Sequence, residues 1–415
     1  MPHERMILLF YHQCFLEGTA LSSYNSIYDH ICDMPIINTH CHHLKDQEFI
    51  NYDLIKAIST SYVIWQYGQV KDTPEGRQDL FNKMGANTYF TWLSRALGEL
   101  YGNSPLSFDN WGRIAAAIKE RYAKNPDYHM DILKNVCKYE TIVLDKYEKP
   151  GSNNGWGINR PTFRCDMFLF GFSPGRTDNN NNNPYDYFDA TPESLDEYIA
   201  MMEKVIEKKK SDGCSALKLA IAYERGLDFS PGTREKAKKA FMSESANNEE
   251  IKAFGDHVVF ELARIAAQLD MPIQIHTGLG GLYKTNAMQL FDLIKLNPHT
   301  RFVLFHCSYP WTDDVLGLAH VFSNVFPDTC WLPLISTAAA ERFLDEAIDL
   351  MDSTRMAWGC DTWNSEDSYG ALLAMRYVLA RVLAKKVDKG LIPKDIALHI
   401  AQNILYNNAK RIYNL

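Results

Sequence analysis

Two histidines placed two residues apart are the first side chains in this sequence that could do chemistry together. His40 and His42 follow a short apolar run in the segment MPIINTHCHH, residues 34–43. Alternate side chains of a β-strand point to the same face, so both imidazoles are expected to leave the strand end together. Neutral imidazole is a good ligand for zinc and similar metals. The pair therefore predicts half of a chelate, and the remaining ligands must come from elsewhere in the chain.

The composition narrows the class of protein and the kind of partner. The 415 residues are 46% hydrophobic and 23% charged, as in an ordinary globular protein with a large core. A net charge of -8 gives no reason to expect nucleic acid, and the apolar run at residues 6–10 is too short to span a membrane. The nine cysteines include no C-x-x-C pair, which favours a reducing, cytoplasmic compartment over a disulfide framework. The expected partner is a small-molecule substrate, and neither nucleic acid nor a membrane is expected. Whether the chain forms a homo-oligomer is left open.

Most of the chain shows strands alternating with helices. A helical lead-in is expected over residues 1–33 and a first strand over residues 35–39. Residues 44–138 contain no convincing strand, and their aromatic-rich helical patterns predict a lid or subdomain, because ordinary connections are far shorter. Further apolar strands are predicted at 140–146, 163–172, 215–223, 272–277, 301–307, 330–336 and 356–362.

Eight short strands, most of them followed by helical stretches, are typical of an α/β fold of the (β/α)8 type, the TIM barrel. We therefore predict a barrel formed by residues 34–43 and 139–415, preceded by the lead-in at 1–33. A large helical insertion, residues 44–138, follows the first strand. The alternative is an open doubly wound sheet, but no G-x-G-x-x-G follows an early strand to support dinucleotide binding.

The strand ends of such a barrel share one face, and here they carry metal-ligand residue types. Each has a structural alternative: a strand-end histidine is often only hydrogen-bonded, and Asp361 could cap the next helix. Lys218 is harder to explain in this way, because burying an ammonium group is costly unless it is paired or chemically changed. Together they predict a metal site at one mouth. The six residues are His40, His42, Lys218, His276, His306 and Asp361.

The order His-x-His, Lys, His, His, Asp resembles that of the amidohydrolase superfamily of metal-dependent barrel hydrolases. The segments PIQIHTGLG (272–280), FVLFHC (302–307), GCD (359–361) and NNAKRIY (407–413) are especially similar to its amidohydrolase-2 branch. The stretch from Lys218 to Leu227 resembles amidohydrolase domains fused to glutamine synthetase in some fungi and plants, although Glu224 separates Tyr223 from Arg225 here. A weaker resemblance, to uronate isomerases, comes from His-Cys-His followed by a long helical segment, but Lys218 argues against it.

The resemblance implies one or two metal ions, with Zn2+ expected and Mn2+ or Fe2+ left open. In a two-metal arrangement all six strand-end residues are ligands, and a carbamylated Lys218 bridges the ions. In a one-metal arrangement Lys218 stays an amine and His306 acts as an acid or stabilises the transition state. Both versions imply that Asp361 takes a proton from metal-activated water and passes it to the leaving group.

The leading functional hypothesis is a metal-dependent hydrolase that cleaves a C–N amide-type or ester bond of a small substrate. Tyr223 and Arg225 would bind a carboxylate on that substrate if it has one, and Trp363 would line the pocket. Alternatively, Arg225 pairs with Asp228 or Glu224 at the surface. The competing functions are a metal-dependent decarboxylase or other lyase of the same superfamily, a uronate-type isomerase, and a barrel without activity that serves as a binding protein.

Overall fold

The computed structural model describes residues 22–415. The first helix, Tyr24–Asp33, buries Tyr24, Ile27 and Ile31, which lie on one helical face. The earlier part of the predicted lead-in, residues 1–21, lies outside the described residues. Met34 ends the helix in an extended conformation, and the chain then enters the first strand.

In residues 22–415, seven parallel strands form the centre of the fold and pair in sequential order. They are β1 Ile36–Cys41, β2 Tyr139–Leu144, β3 Asn159–Arg164, β4 Ala216–Leu219, β5 Ile273–His276, β6 Phe302–Phe305 and β7 Val325–Asp328. Strands β1 and β4–β7 are buried along their whole length, because helices cover the outside of the sheet and side chains fill the inside.

Residues 356–362, predicted as the eighth strand, lie between β7 and β1. Ala357 N donates a hydrogen bond to Pro327 O on β7 at 3.1 Å, and Asp361 N donates one to His40 O on β1 at 2.9 Å. The segment thus occupies the eighth position of the curled sheet, although only one residue pair forms a regular bridge. The prediction of a parallel, barrel-like α/β fold is confirmed.

Three predicted strands differ from the structure by more than two residues at one end. The fourth, predicted at 215–223, ends at Leu219 and is followed by a 3-10 helix, Ile221–Tyr223. The third strand ends at Arg164 and a 3-10 helix, Asp166–Phe170, follows, so the apolar run after Arg164 is helical rather than extended. The prediction of a strand at 330–336 is wrong, because β7 lies at Val325–Asp328 and Leu332–Ile335 is a helical turn. Short apolar runs have no period of their own, so the sequence did not distinguish a buried strand from a buried helix.

The connection from β1 to β2, residues 44–138, is helical, and we call it the helical segment. Two of its helices begin after N-cap residues: the side chains of Asp53 and Thr73 accept hydrogen bonds from backbone N–H groups in the first turns of the helices that follow them. The helices of this segment are Leu54–Ser59, Val63–Tyr67, Pro74–Met84, Thr88–Tyr101, Trp111–Lys124 and Tyr128–Asp131.

One buried carboxylate joins the helical segment to the barrel. Glu366, at the start of the helix Ser365–Asp388, accepts hydrogen bonds from the hydroxyls of Tyr101 at 2.6 Å, Tyr122 at 2.9 Å and Tyr52 at 3.2 Å. The Ser365 hydroxyl donates a fourth at 2.9 Å. A buried carboxylate is costly unless its lone pairs are satisfied, so these donors offset the cost and fix the position of the segment.

The other helices lie outside the sheet. None of the helices among the described residues is long and apolar enough to cross a membrane. These helices are Leu195–Ser211, Arg234–Ala240, Asn248–Gln268, Phe291–Leu296, Thr312–Val321, Thr337–Leu350, Ser365–Asp388, Lys394–Gln402 and Asn408–Ile412.

Candidate metal centre

His40, His42 and Asp361 meet at the carboxyl end of β1. The Nε2 atoms of His40 and His42 lie 3.4 and 3.2 Å from Asp361 Oδ1. Donor atoms bound to one ion at about 2.1 Å are separated by roughly 3.0–3.4 Å in octahedral or tetrahedral geometry. The spacing of these three atoms therefore matches that of ligands around one cation.

The second ring nitrogen of His42 is held by the backbone. His42 Nδ1 lies 2.8 Å from the carbonyl oxygen of Asp145, which can only accept a hydrogen bond, so Nδ1 carries the hydrogen. In neutral His42, Nε2 then presents a lone pair to the Asp361 carboxylate. Two electron-rich atoms at 3.2 Å need a positive charge between them, supplied by a proton or by a cation.

His276 and His306 form a second pair of opposed nitrogens. His306 Nδ1 donates to the carbonyl of Cys330 at 2.9 Å, and His276 Nε2 donates to the carbonyl of Leu279. The remaining nitrogens, His306 Nε2 and His276 Nδ1, face each other at 3.0 Å. Burial lowers the pKa of His306 to about 4 and that of His276 well below its ordinary value. Both rings are therefore neutral near pH 7, and their opposed lone pairs favour a cation at this position.

Asp361 is the residue shared by both halves of the site. Its Oδ2 accepts a hydrogen bond from the Tyr62 hydroxyl at 2.9 Å and lies 3.9 Å from His306 Nδ1. Burial opposes its ionisation, but His42 and His306 in their protonated forms and the Lys218 ammonium favour the carboxylate, outweigh burial and lower the Asp361 pKa. Its backbone has φ of 58°, a left-handed conformation that is uncommon outside glycine and that often accompanies functional sites.

Lys218 is buried at the end of β4 and faces the same interior. Its Nζ lies 4.0 Å from the ring centre of Phe305, and within residues 22–415 its ammonium group has no hydrogen-bond or ion-pair partner. Burial lowers the Lys218 pKa, although the charges of Asp145 and Asp361 oppose the shift. An unpaired amine in such a position fits both a neutral amine and a chemically modified lysine.

Ligand-type atoms cluster in two groups at this mouth, each with its atoms within 4.8 Å of one another. His40 and His42 belong to one group and His306 and Asp361 to the other. His276 faces His306, so the structure brings all four predicted histidines and Asp361 to one mouth. They come from the ends of β1, β5 and β6 and from the eighth position. The donor set is thus chemically suited to a divalent cation. Two group members were not predicted as ligands, Asp145 and Cys330.

The three predicted substrate-binding residues have different locations. The Tyr223 ring lies 4.5 Å from the His276 ring and is 45% exposed, and Trp363 stacks on His42 with ring centres 5.5 Å apart. Both therefore line the mouth. Arg225 does not: its guanidinium donates to Asp256 at 2.7 Å on the helix Asn248–Gln268. The role of Arg225 in substrate binding therefore stays a prediction, and its observed partner is Asp256 rather than Asp228 or Glu224.

A different guanidinium, that of Arg164, lies at the end of β3. It donates to Asp145 at 2.6 Å and lies 3.7 Å from Asp166, while its buried Nε has no hydrogen-bond partner in the described chain. Burial raises the pKa of Asp166 to about 7, so this carboxyl only partly balances Arg164. Arg164 also acts electrostatically on Tyr223. Arg164 is therefore a buried cation near Tyr223 whose guanidinium is already paired with Asp145.

Sequence reasoning missed Tyr62, Asp145, Arg164 and Cys330. Asp145 follows the last residue of β2, and Arg164 is the last residue of β3. Had the sequence predicted the end of the third strand correctly, Arg164 would have been recognised as a strand-end residue. Tyr62 lies in the helical segment, where no local pattern marks it. Cys330 was not considered as a ligand because ligands were sought at strand ends, whereas the seventh strand was predicted to begin at this residue.

Histidines, a lysine and an aspartate converge at the carboxyl end of the curled parallel sheet, and these residue types suit a divalent cation. Residues 245–415 match the amidohydrolase family model of the amidohydrolase-2 branch. The chain is 31% identical over 218 residues to the protein fluG of Emericella nidulans, a match covering 48% of this chain and 25% of the relative. The chain thus spans about a quarter of the length of this curated relative.

Two solved structures are similar to this chain in fold. A uronate isomerase from Thermotoga maritima has a TM-score of 0.74 and 17% identity, over 94% of this chain and 97% of that one. A glucuronate isomerase from Caulobacter crescentus has a TM-score of 0.74 and 16% identity, over 96% and 95%. The resemblance to the amidohydrolase superfamily, with a likeness to uronate isomerases, is confirmed.

Proposed function

We propose that this chain is a metal-dependent hydrolase of a C–N amide-type or ester bond in a small, carboxylated substrate. The observation that carries the proposal is the opposition of lone pairs at the mouth. His276 and His306 face each other at 3.0 Å while both outer nitrogens donate to carbonyls, and two further histidines face Asp361. A divalent cation relieves this repulsion.

The proposed ligands are those expected from the sequence, with Zn2+ as the metal and one or two ions. His40, His42 and Asp361 would hold one position, and His276 and His306 would hold the other in a two-ion version. Lys218 would then be a bridging carbamate, whereas with one ion it would stay an amine. When bound, the cation supplies Lewis acidity and acidifies water.

The protein groups supply positioning and proton transfer. Asp361 is the proposed proton acceptor, and the Tyr62 hydroxyl fixes its carboxylate plane through Oδ2. In the one-ion version His306, held by the Cys330 carbonyl, would stabilise negative charge developing on the scissile group once its Nε2 is protonated. Because the groups are buried, water access is restricted and their interactions are strengthened.

Substrate binding is assigned to the mouth. Arg164 is the proposed partner of a substrate carboxylate, because its charge acts on Tyr223 whereas Arg225 pairs with Asp256. Tyr223 and Trp363 would form the walls. We further propose that the helical segment, residues 44–138, is the lid over the barrel formed by 34–43 and 139–415, since it delivers Tyr62 to the site.

A uronate-type isomerase is the second candidate, favoured by the whole-chain fold likeness to two sugar-acid isomerases. Both functions need the same metal, so the test must measure metal and product together. Metal analysis of the purified chain would be combined with assays on N-acyl amino acids, carboxylated esters, aromatic carboxylates and uronates. Chelator-sensitive hydrolysis supports the proposal, and interconversion of uronates without hydrolysis would replace it with the second candidate.

A matched pair of histidine variants separates the site from general effects. His276→Asn should lose bound metal and activity. His320→Asn, at an exposed histidine on the outer helix Thr312–Val321, should retain both. Equal metal loss in the two variants would contradict the proposed centre.

A further inference from the structure

Cys330 lies two residues past the end of β7, and its thiol faces the proposed centre. Its sulfur, Asp361 and His306 offer ligand atoms within 4.8 Å of one another, and Cys330 is fully buried. We infer that Cys330 is a thiolate ligand of the metal, in addition to the histidines and Asp361. This inference rests on the proposed metal centre and names a ligand that the strand-end pattern does not contain.

The backbone around Cys330 fixes the residue in place. Its N–H donates to Asp328 Oδ1 at 2.9 Å, and its carbonyl accepts from His306 Nδ1 at 2.9 Å. The next residue, Trp331, has φ of 63°, so the chain turns sharply after Cys330. These constraints hold both the carbonyl and the thiol of Cys330 close to His306.

The Cys330 thiol differs in its hydrogen bonding from two other buried thiols, those of Cys165 and Cys307. The sulfurs of Cys165 and Cys307 donate to the carbonyls of Phe163 and Asp328, at 3.3 and 3.4 Å. In the described part of the chain, Cys330 Sγ has no such partner. Buried thiols often pack as small apolar groups, but this one lies among a carboxylate and an imidazole and is free to coordinate.

The spacing is compatible with shared coordination. Zinc binds sulfur at about 2.3 Å and nitrogen at about 2.1 Å, so two donors on one tetrahedral ion lie roughly 3.6 Å apart. The ligand atoms of the cluster lie within 4.8 Å of one another, so coordination would draw these side chains together. On binding, the thiol proton passes to solvent and the sulfur coordinates as thiolate.

A thiolate would change both the charge and the selectivity of the centre. Together with Asp361 it neutralises one divalent ion, so a carbamate on Lys218 is not required for charge balance. Soft sulfur favours zinc over manganese or magnesium, which prefer oxygen ligands. We therefore expect a zinc-selective centre in which Lys218 stays an amine.

The test uses the full-length chain loaded stoichiometrically with Co2+ or Zn2+. Wild-type protein should show a thiolate-to-cobalt charge-transfer band in the near ultraviolet, and Cys330→Ser should lose it. The control Cys214→Ser removes a buried thiol before β4, at the other end of the barrel, and should keep the band. Chelator competition should show zinc affinity at least about tenfold lower in Cys330→Ser.

X-ray absorption spectroscopy of the zinc-loaded wild-type protein is a second test, and it does not require that any variant folds. A sulfur scatterer at about 2.3 Å is expected. Stoichiometric metal with only nitrogen and oxygen ligands, or a band that survives in Cys330→Ser, overturns this inference and leaves the proposed function standing. Failure to bind either metal overturns both.

Discussion

The hydroxyl of Tyr62 donates a 2.9 Å hydrogen bond to Oδ2 of Asp361, so the helical segment reaches the proposed catalytic carboxylate directly. Tyr62 is fully enclosed by aromatic rings, among them Trp331 at 4.7 Å and Trp363 at 5.0 Å. A side chain packed in this way holds its hydroxyl in one position. The segment therefore contributes a side chain to the proposed site.

Tyr62→Phe should lower kcat with little change in metal content. The lost hydrogen bond to a charged group corresponds to about 1.5–3 kcal/mol, or roughly a 10- to 100-fold lower kcat. Steady-state kinetics and metal analysis measure both quantities. Tyr67→Phe, which removes a hydroxyl bonded to Asp79 in the same segment, should change kcat less than twofold or so. Equal effects of the two changes would show that Tyr62 acts only through packing.

Arg164→Lys and Arg225→Lys should have opposite consequences. Arg164 is the proposed partner of a substrate carboxylate, so its replacement should raise KM at least about tenfold for a carboxylated substrate, because lysine lacks the planar fork. Arg225 pairs with Asp256 away from the cluster, so its replacement should leave KM unchanged and affect stability only. KM values for a carboxylated substrate and its amide analogue provide the measurement. A larger KM effect at Arg225 would restore the original expectation.

Glu366→Gln should destabilise the whole fold. The neutral amide replaces a carboxylate that accepts hydrogen bonds from three tyrosines, and its NH2 group meets hydroxyl donors. We expect a free energy of unfolding lower by about 2–4 kcal/mol, measured by urea denaturation. Glu120→Gln breaks an exposed pair with Lys124 and should cost less than about 0.5 kcal/mol. A loss confined to Glu120→Gln would contradict the role of Glu366 as a tie between segment and barrel.

Asp367→Asn should make stability less dependent on pH. Burial, reinforced by the nearby Cys360, raises the pKa of Asp367 to about 8. Between about pH 4 and pH 8 the folded chain therefore holds a proton that the unfolded chain has released, so wild-type stability falls as pH rises through this range. The variant lacks this loss and should gain roughly 3–5 kcal/mol relative to wild type between pH 5 and pH 8.5.

Urea unfolding of metal-free protein at the two pH values provides the measurement. Asp212→Asn, at an exposed carboxylate paired with Lys208, is the control and should show no such change with pH. A constant difference between Asp367→Asn and wild type at all pH values would show that Asp367 ionises normally.

The sequence alone was sufficient for the fold class and for most of the proposed centre. His40 and His42 share a face because strand side chains alternate. His276, His306 and Asp361 each follow a short apolar run whose end must lie at the common mouth of a parallel barrel. These are local patterns combined with one topological rule.

Tertiary structure decided the residues whose roles depend on contacts between distant parts of the chain. Nothing near Arg225 in sequence shows that Asp256 neutralises it, and nothing near Tyr62 shows that it reaches Asp361. Cys330 joined the cluster only when β7 proved to end at Asp328. Local propensity cannot choose between a strand and a helix for a short apolar run, because burial against the neighbouring strands makes that choice.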